Sequence, residues 1–322
     1  MELAASAWEY TRKTTFNVDS GERGMANSRK PTEAPHGTEM SRRQFGAVSL
    51  AGGLVAATGS VTTAAAALPV TETDVEVKTP DGTSDAVLIH PATGSYPGVL
   101  IWTDAFGLRP AFREMGKRLA AEGYTVLIPN PYYRTTKAPG VSKDLNFSDP
   151  TDRAKLTAVM STVTAPGAAE RDAIAYIAFL DAQPSVRKSA KIGTNGYCMG
   201  GPLTMRTAAA VPDRVGAGGS FHGGGLVTDK PESPHLLVPK IKARYYFGIA
   251  ESDDKTQPDA KDKLKAAFAA ANKPAVIEVY AGSIHGWCVP DMPSRDGVPI
   301  YNQPLAERAW SNLLSLYKTA LV

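Results

Sequence analysis

The stretch Lys191-Ile192-Gly193-Thr194-Asn195-Gly196-Tyr197-Cys198-Met199-Gly200-Gly201-Pro202-Leu203-Thr204 decides the fold. Residues 191–196 read as a short strand and residues 200–210 as a helix, with a tight turn between them. In that setting Gly196-Tyr197-Cys198-Met199-Gly200-Gly201 has the form of a sharp corner that lifts one side chain above a sheet edge. Glycines belong on both sides, because a side chain there would clash with the crossing chain. The corner sets Cys198 near a helix N-terminus, whose dipole favours a thiolate. It also aims the N–H of Met199 at the place where an oxyanion would form. A buried structural cysteine in a tight βα turn is the plainer alternative.

Outward from this corner, strands and helices alternate. Residues 74–78 alternate polar and apolar side chains, Pro80-Asp81-Gly82 is a turn, and residues 85–90 can return antiparallel. Residues 98–102 (GVLIW) and 125–128 (TVLI) are continuous apolar runs, the pattern of strands buried on both faces. Residues 216–221, 243–249 and 275–280 read as further strands. Residues 111–121, 168–180, 260–271 and 305–320 read as helices. Residues 132–166 are irregular and polar, with one helix expected around 152–161, and such an excursion often covers an active site. The pattern is α/β: a mostly parallel central sheet with helices on both faces.

The whole chain has 322 residues, 43% hydrophobic and 21% charged, which argues against disorder and against a fibrous protein. A net charge of +3 is too mild to call for nucleic acid. Two cysteines, Cys198 and Cys288, exclude a disulfide-dense scaffold and a Cys-rich zinc or iron–sulfur site. No apolar run suits a multi-span membrane protein. Residues 1–67 read as an address. Ser41-Arg42-Arg43-Gln44-Phe45 precedes a small-residue apolar run that ends Ala64-Ala65-Ala66-Ala67-Leu68. That resembles a twin-arginine export signal, cleaved near Ala67, which would carry the folded protein to the periplasm. Met1, Met25 and Met40 are all possible starts. Residues 68–322 are then expected to form a single domain.

Two features join the corner. His285 stands in Ser283-Ile284-His285-Gly286-Trp287, in the loop after the strand 275–280. An acidic group follows the strand 243–249 in Gly248-Ile249-Ala250-Glu251-Ser252-Asp253-Asp254. Asp253 is the preferred acid, because it stands a short turn before Pro258 and its helix; Glu251 comes next, and Asp254 is expected in solvent. The order nucleophile, acid, histidine is that of the α/β-hydrolases. His222, in His222-Gly223-Gly224-Gly225 after another strand, could line the pocket, and Trp287 and Tyr133 could wall it.

With these residues in view, the sequence from about residue 74 to the C-terminus resembles the dienelactone hydrolase family. Gly196–Gly201 carries the family's Cys in place of the more usual Ser. Thr103-Asp104-Ala105-Phe106-Gly107, Pro129-Asn130-Pro131-Tyr132-Tyr133-Arg134 and the His285-Gly286-Trp287 loop match further family segments. The resemblance implies the α/β-hydrolase fold and hydrolysis of a carboxylic ester or enol lactone by a Cys198, Asp253, His285 triad. It implies Met199 and Ala105 as oxyanion donors. Asp104, one methylene shorter than the family's Glu, would modulate the nucleophile. Arg134 would hold a substrate carboxylate, while Val289 stands where the family has a second arginine. No metal or other cofactor is called for, and the partner is a small-molecule ester or lactone. No nucleic acid and no membrane span of the processed chain are expected. Two other readings share the fold: a non-catalytic ligand-binding protein, and a thiol-redox protein using Cys198 and Cys288, against which the lack of Cys-x-x-Cys weighs.

The address is testable. Replacing Arg42 and Arg43 together with lysine is expected to leave the precursor in the cytoplasm. Normal secretion of that variant contradicts the reading.

Overall fold

Gly98–Trp102 (β3), Thr125–Pro129 (β4) and Ile192–Tyr197 (β5) are buried at every position. Strands with no exposed face need cover on both sides, and these three lie side by side in the middle of a sheet. The computed structural model describes residues 67–141, 149–295 and 297–322. Around the central strands stand Val70–Thr79 (β1), Gly82–Pro91 (β2), Val215–Phe221 (β6), Arg244–Ala250 (β7) and Ala275–Tyr280 (β8). The eight strands run in the order β1-β2-β4-β3-β5-β6-β7-β8. β1 pairs antiparallel with β2 from the tight Thr79↔Gly82 end, and β2 pairs antiparallel with β4. From β4 to β8 every pairing is parallel.

The helices are Pro110–Ala121 (α1), Pro150–Thr164 (α2), Ala168–Ala182 (α3), Gly200–Ala210 (α4), Glu251–Thr256 (α5), Ala260–Ala270 (α6) and Gln303–Ala320 (α7). Successive strand residues point to opposite faces, so each central strand feeds two cores. Leu100 and Trp102 pack with Tyr176, Leu203, Phe247 and Phe268. Val99 and Ile101 pack with Phe112, Leu119, Leu313 and Tyr317 on the other side.

Two expectations are revised. The helix within residues 132–166 begins at Pro150, because the Asp149 carboxylate accepts the N–H groups of Thr151 (2.7 Å) and Asp152 (3.2 Å) and proline suits a first helical position. The acidic segment after β7 is a six-residue helix, α5, with Glu251, Asp253 and Asp254 in its first turn, where the helix dipole favours carboxylates. Among the described residues, no helix is long and apolar enough to cross a membrane. The segment 1–66, with the arginine pair, lies outside the described residues.

The parallel strands end together, and the segments after β3, β5, β6, β7 and β8 meet at that edge, where open α/β sheets bind ligands. α4 enters this edge at very short range. A Cβ on Gly200 would stand 2.5 Å from the Trp102 carbonyl oxygen, and one on Gly196 would stand 2.1 Å from the Gly200 oxygen. By contrast, a Cβ on Gly224 would meet nothing within 4 Å. Gly200→Ala is therefore expected to cost about 1–3 kcal/mol in urea unfolding, as overpacking against immovable backbone does, while Gly224→Ala stays near neutral. Equal stability of the two variants contradicts this packing.

Candidate active site

Cys198 adopts φ +52. A non-glycine residue pays about 1–2 kcal/mol for this left-handed backbone, so its surroundings must enforce it. They do so through hydrogen bonds. The Cys198 N–H donates to the Phe221 carbonyl (3.1 Å) and to Nδ1 of His222 (3.1 Å). The Cys198 carbonyl accepts the N–H groups of Gly201 (3.1 Å) and Gly224 (3.3 Å). A Cβ on Gly201 would stand 2.6 Å from both Gly223 Cα and Ser220 Oγ, so the segment after β6 closes directly on the corner. The thiol is half-buried, and Met199 stands at the N-cap position of α4.

His285 reaches Cys198 from the loop after β8. Its Nδ1 lies 2.8 Å from Oδ2 and 3.0 Å from Oδ1 of Asp253, and the Cys198 side chain is near enough to act on its charge. Burial works against the imidazolium, but the Asp253 carboxylate and the Cys198 sulfur outweigh burial and hold His285 well above the usual histidine range. The two loops are laced together. The His285 N–H donates to Ser252 Oγ (2.9 Å), the Ser252 N–H to the Ser283 carbonyl (3.2 Å), and the Glu251 N–H to Ser283 Oγ (3.1 Å). Of the three acids, Asp253 alone faces His285. The Glu251 carboxylate takes the Gly282 N–H and pairs with Lys255, and Asp254 pairs with Lys261 at 2.7 Å.

Ala105 lies in the segment after β3. Its carbonyl accepts the Tyr132 hydroxyl (2.7 Å), and that hydroxyl oxygen is 3.5 Å from the Met199 sulfur, so one fully buried tyrosine spans the two expected oxyanion donors. Asp104 differs from its expected role. Its carboxylate accepts Nη1 (2.6 Å) and Nη2 (2.9 Å) of Arg109 and the Phe106 N–H (2.9 Å), so among the described residues its hydrogen bonds go to these groups and not to Cys198. On its other edge Arg109 donates from Nε (2.9 Å) and Nη2 (2.8 Å) to Asp291, in the loop that carries His285. Arg109 is 6% exposed and lies over the rings of Phe106 and Phe112. It thus ties the Ala105 segment to the His285 loop.

The expected substrate contacts need correction. Arg134 donates from Nη1 (2.9 Å) and Nη2 (2.8 Å) to the buried Asp172 and from Nη2 (2.7 Å) and Nε (3.2 Å) to Asp81. Two carboxylates already occupy it, because the β1–β2 turn and α3 both present acids there. Tyr133 shares this clamp: its hydroxyl lies 2.7 Å from both Thr79 Oγ1 and Asp172 Oδ1. Trp287 is no pocket wall at the surface; it is fully buried and stacks on Tyr280 at 4.3 Å. Val289 is fully buried too. Cys288 is buried under α7, away from the core on which Cys198 packs, and both cysteines are free. Burial pushes the Cys288 thiol up, which disfavours its thiolate. Arg244 is exposed at the start of β7, the end of the sheet remote from the site. His222 sits within the site, its ring centroid 4.9 Å from that of His285.

A parallel sheet with a side chain held on a left-handed corner between its fifth strand and a helix defines an α/β-hydrolase. The chain belongs to the dienelactone hydrolase family, whose model matches residues 84–321, and it is a hydrolase. It is 29% identical over 299 residues to a Methylorubrum extorquens protein named "Putative carboxymethylenebutenolidase", covering 87% of this chain and 94% of that one. It is 26% identical over 212 residues to the carboxymethylenebutenolidase of Rhodococcus opacus, covering 64% and 77%. The fold is similar to that of a dienelactone hydrolase-like promiscuous phosphotriesterase from metagenomic libraries, with a TM-score of 0.65 at 20% identity over 79% of this chain and 100% of that one.

Sequence reasoning missed Arg109, Asp291, Tyr132 and Ser252. Tyr132 was within a recognised segment, Pro129–Arg134, but nothing in the local pattern told its buried side chain from its neighbour's. Arg109 and Asp291 are 182 positions apart, and no local signal links them.

Proposed function

We propose that this protein hydrolyses a carboxylic ester or enol lactone through a Cys198–His285–Asp253 triad and an acyl-thioester intermediate. The observation that carries this reading is the chain Asp253–His285–Cys198 at a left-handed corner. His285 takes and holds the proton of Cys198. The thiolate attacks the carbonyl carbon, and the oxyanion forms between the N–H groups of Met199 and Ala105, each good donor being worth about 3 kcal/mol. The C–O bond breaks, and the leaving alkoxide or enolate takes the proton from His285; in a lactone it stays tethered to the acyl chain. His285 then takes a proton from water, hydroxide adds to the thioester, and the C–S bond breaks to give the carboxylic acid and the starting thiolate. The relatives' name, carboxymethylenebutenolidase, supports enol lactones as a substrate class, since their leaving group is a stabilised enolate. The site of action we propose is the periplasm, reached through the Arg42-Arg43 signal.

Substrates without a carboxylate fit this site well. The Arg134 guanidinium is satisfied by Asp81 and Asp172, and Val289 brings no charge. Lacking a free cationic clamp should cost a carboxylated substrate on the order of 1–3 kcal/mol, or about one to two decades in apparent affinity.

Two measurements test the proposal. Cys198→Ala and His285→Ala are each expected to lower ester or lactone turnover by about 10⁴-fold or more with the fold retained, and Asp253→Asn by a smaller factor, about 10²–10⁴. Turnover kept in either of the first two variants, once shown to be folded, contradicts the triad; a silent Asp253→Asn beside a damaging Glu251→Gln moves the acid to Glu251. For substrate choice, kcat/KM of a carboxylated lactone is expected to stay within about tenfold of its neutral methyl ester. A preference of several hundredfold for the carboxylate, abolished by Arg134→Ala, would show a working clamp on the order of 3 kcal/mol and overturn this choice.

A further inference from the structure

His222 follows β6 with φ +39, a backbone that few non-glycine residues adopt. Its own N–H donates to the Gly248 carbonyl at the end of β7 (2.8 Å), and its ring turns back under the corner between β5 and α4. The residue is 1% exposed. Its Nδ1 accepts the Cys198 N–H at 3.1 Å. A ring nitrogen that accepts a hydrogen bond bears a lone pair, so in the neutral ring the proton resides on Nε2. Among the described residues Nε2 is buried and has no hydrogen-bond partner. The ring meets that of His285 edge to face, at 4.9 Å and 69°. The Tyr197 ring from β5 lies 6.0 Å away.

The groups facing His222 leave no room for a second charge. Cys198 presents a main-chain donor, His285 an imidazolium-prone ring, and Tyr197 a phenol whose ionisation burial suppresses. The Asp253 carboxylate is bound to His285. Protonating Nδ1 would set a donor against the Cys198 N–H and a positive charge against His285. Burial, and then the charge of His285, push His222 well below the usual histidine range.

We infer that His222 is a positioning residue: a neutral imidazole that accepts the Cys198 N–H, holds the nucleophile's main chain in its left-handed turn, and packs against His285 to keep that ring between Asp253 and Cys198. The inference rests on the proposed roles of Cys198 and His285. It assigns His222 to the architecture of the nucleophile and not to the pocket wall expected from its loop.

The first test needs no substitution in the protein measured. Long-range ¹H–¹⁵N correlation spectra of the imidazoles of the full chain, with His222→Asn used to assign the signal, report tautomer and charge for each histidine. His222 is expected to stay neutral with its proton on Nε2 from about pH 5 to 8. A proton on Nδ1, or titration in that range, overturns the inference, whatever the activity. The second test is kinetic. His222→Gly keeps the left-handed backbone and removes both the acceptor and the ring; kcat is expected to fall about 10²-fold, as for a misplacement near 1 Å, with KM changed less than about threefold. In His222→Asn the Oδ1 takes the place of Nδ1, and at least about tenfold of that loss should return, since small errors in placement are this costly. A folded His222→Gly within about threefold of the parent, or a His222→Asn no better than His222→Gly, overturns it as well. Should His222→Gly fail to fold, the spectra of the unaltered chain and the kcat of His222→Asn still decide. If instead Cys198→Ala retains turnover, the triad fails while the His222 tautomer is still read independently.

Discussion

The left-handed turn at Cys198 is the constraint on which the rest of the structure depends. A cysteine does not adopt φ +52 unaided, and every neighbour of the corner serves to hold it there. Gly196, Gly200 and Gly201 lack side chains because β3, α4 and the segment after β6 pass where a Cβ would be. The main-chain groups of Cys198 are satisfied by Phe221, His222, Gly201 and Gly224, all within two short segments. Tertiary packing thus sets a backbone state that local preference opposes. The result is a half-buried sulfur beside the N-terminus of α4.

Around that corner the charges are arranged in closed sets. Asp253 serves His285, Glu251 and Ser252 bind the His285 loop, and Arg109 joins Asp104 to Asp291. Arg134 is held between Asp172 and Asp81, which fastens the β1–β2 turn to α3. Buried ion pairs contribute little net stability, but breaking one strands a charge, so such clamps are effective at fixing loops in one geometry. The loops that carry Ala105 and His285 are joined through one guanidinium, which links the proposed oxyanion hole to the proposed base.

Most of the sheet was legible from the sequence, because continuous apolar runs such as residues 98–102 and 125–128 demand burial on both faces. The corner was legible on steric grounds: glycines bunched around one residue between a strand and a helix mark a turn too tight for side chains. The acid was narrower than expected from pattern alone, since Glu251, Asp253 and Asp254 all suit a helix N-terminus, and only their partners in space separate them. The side-chain roles of Arg134, Tyr133, Trp287 and Asp104 were read by position in familiar segments. Long-range contacts, to Asp81 and Asp172, Tyr280 and Arg109, redirect those side chains, and sequence spacing carries no trace of them. His222 was legible only as a residue after a strand and before glycines, able to line the pocket; its acceptor contact is made to the corner that the chain passes 24 positions earlier.

The central claim is that Cys198 carries the acyl group during turnover. The direct measurement is rapid acid quench of the protein during hydrolysis of an activated aryl acetate, followed by peptide mass analysis. Acid preserves thioesters, so the account predicts one acetyl group on the peptide containing Cys198, formed with the burst of phenol and lost at the rate of turnover. Turnover with a burst but with the acetyl group on another residue, or turnover with no acylated peptide in an enzyme whose slow step is deacylation, would contradict it.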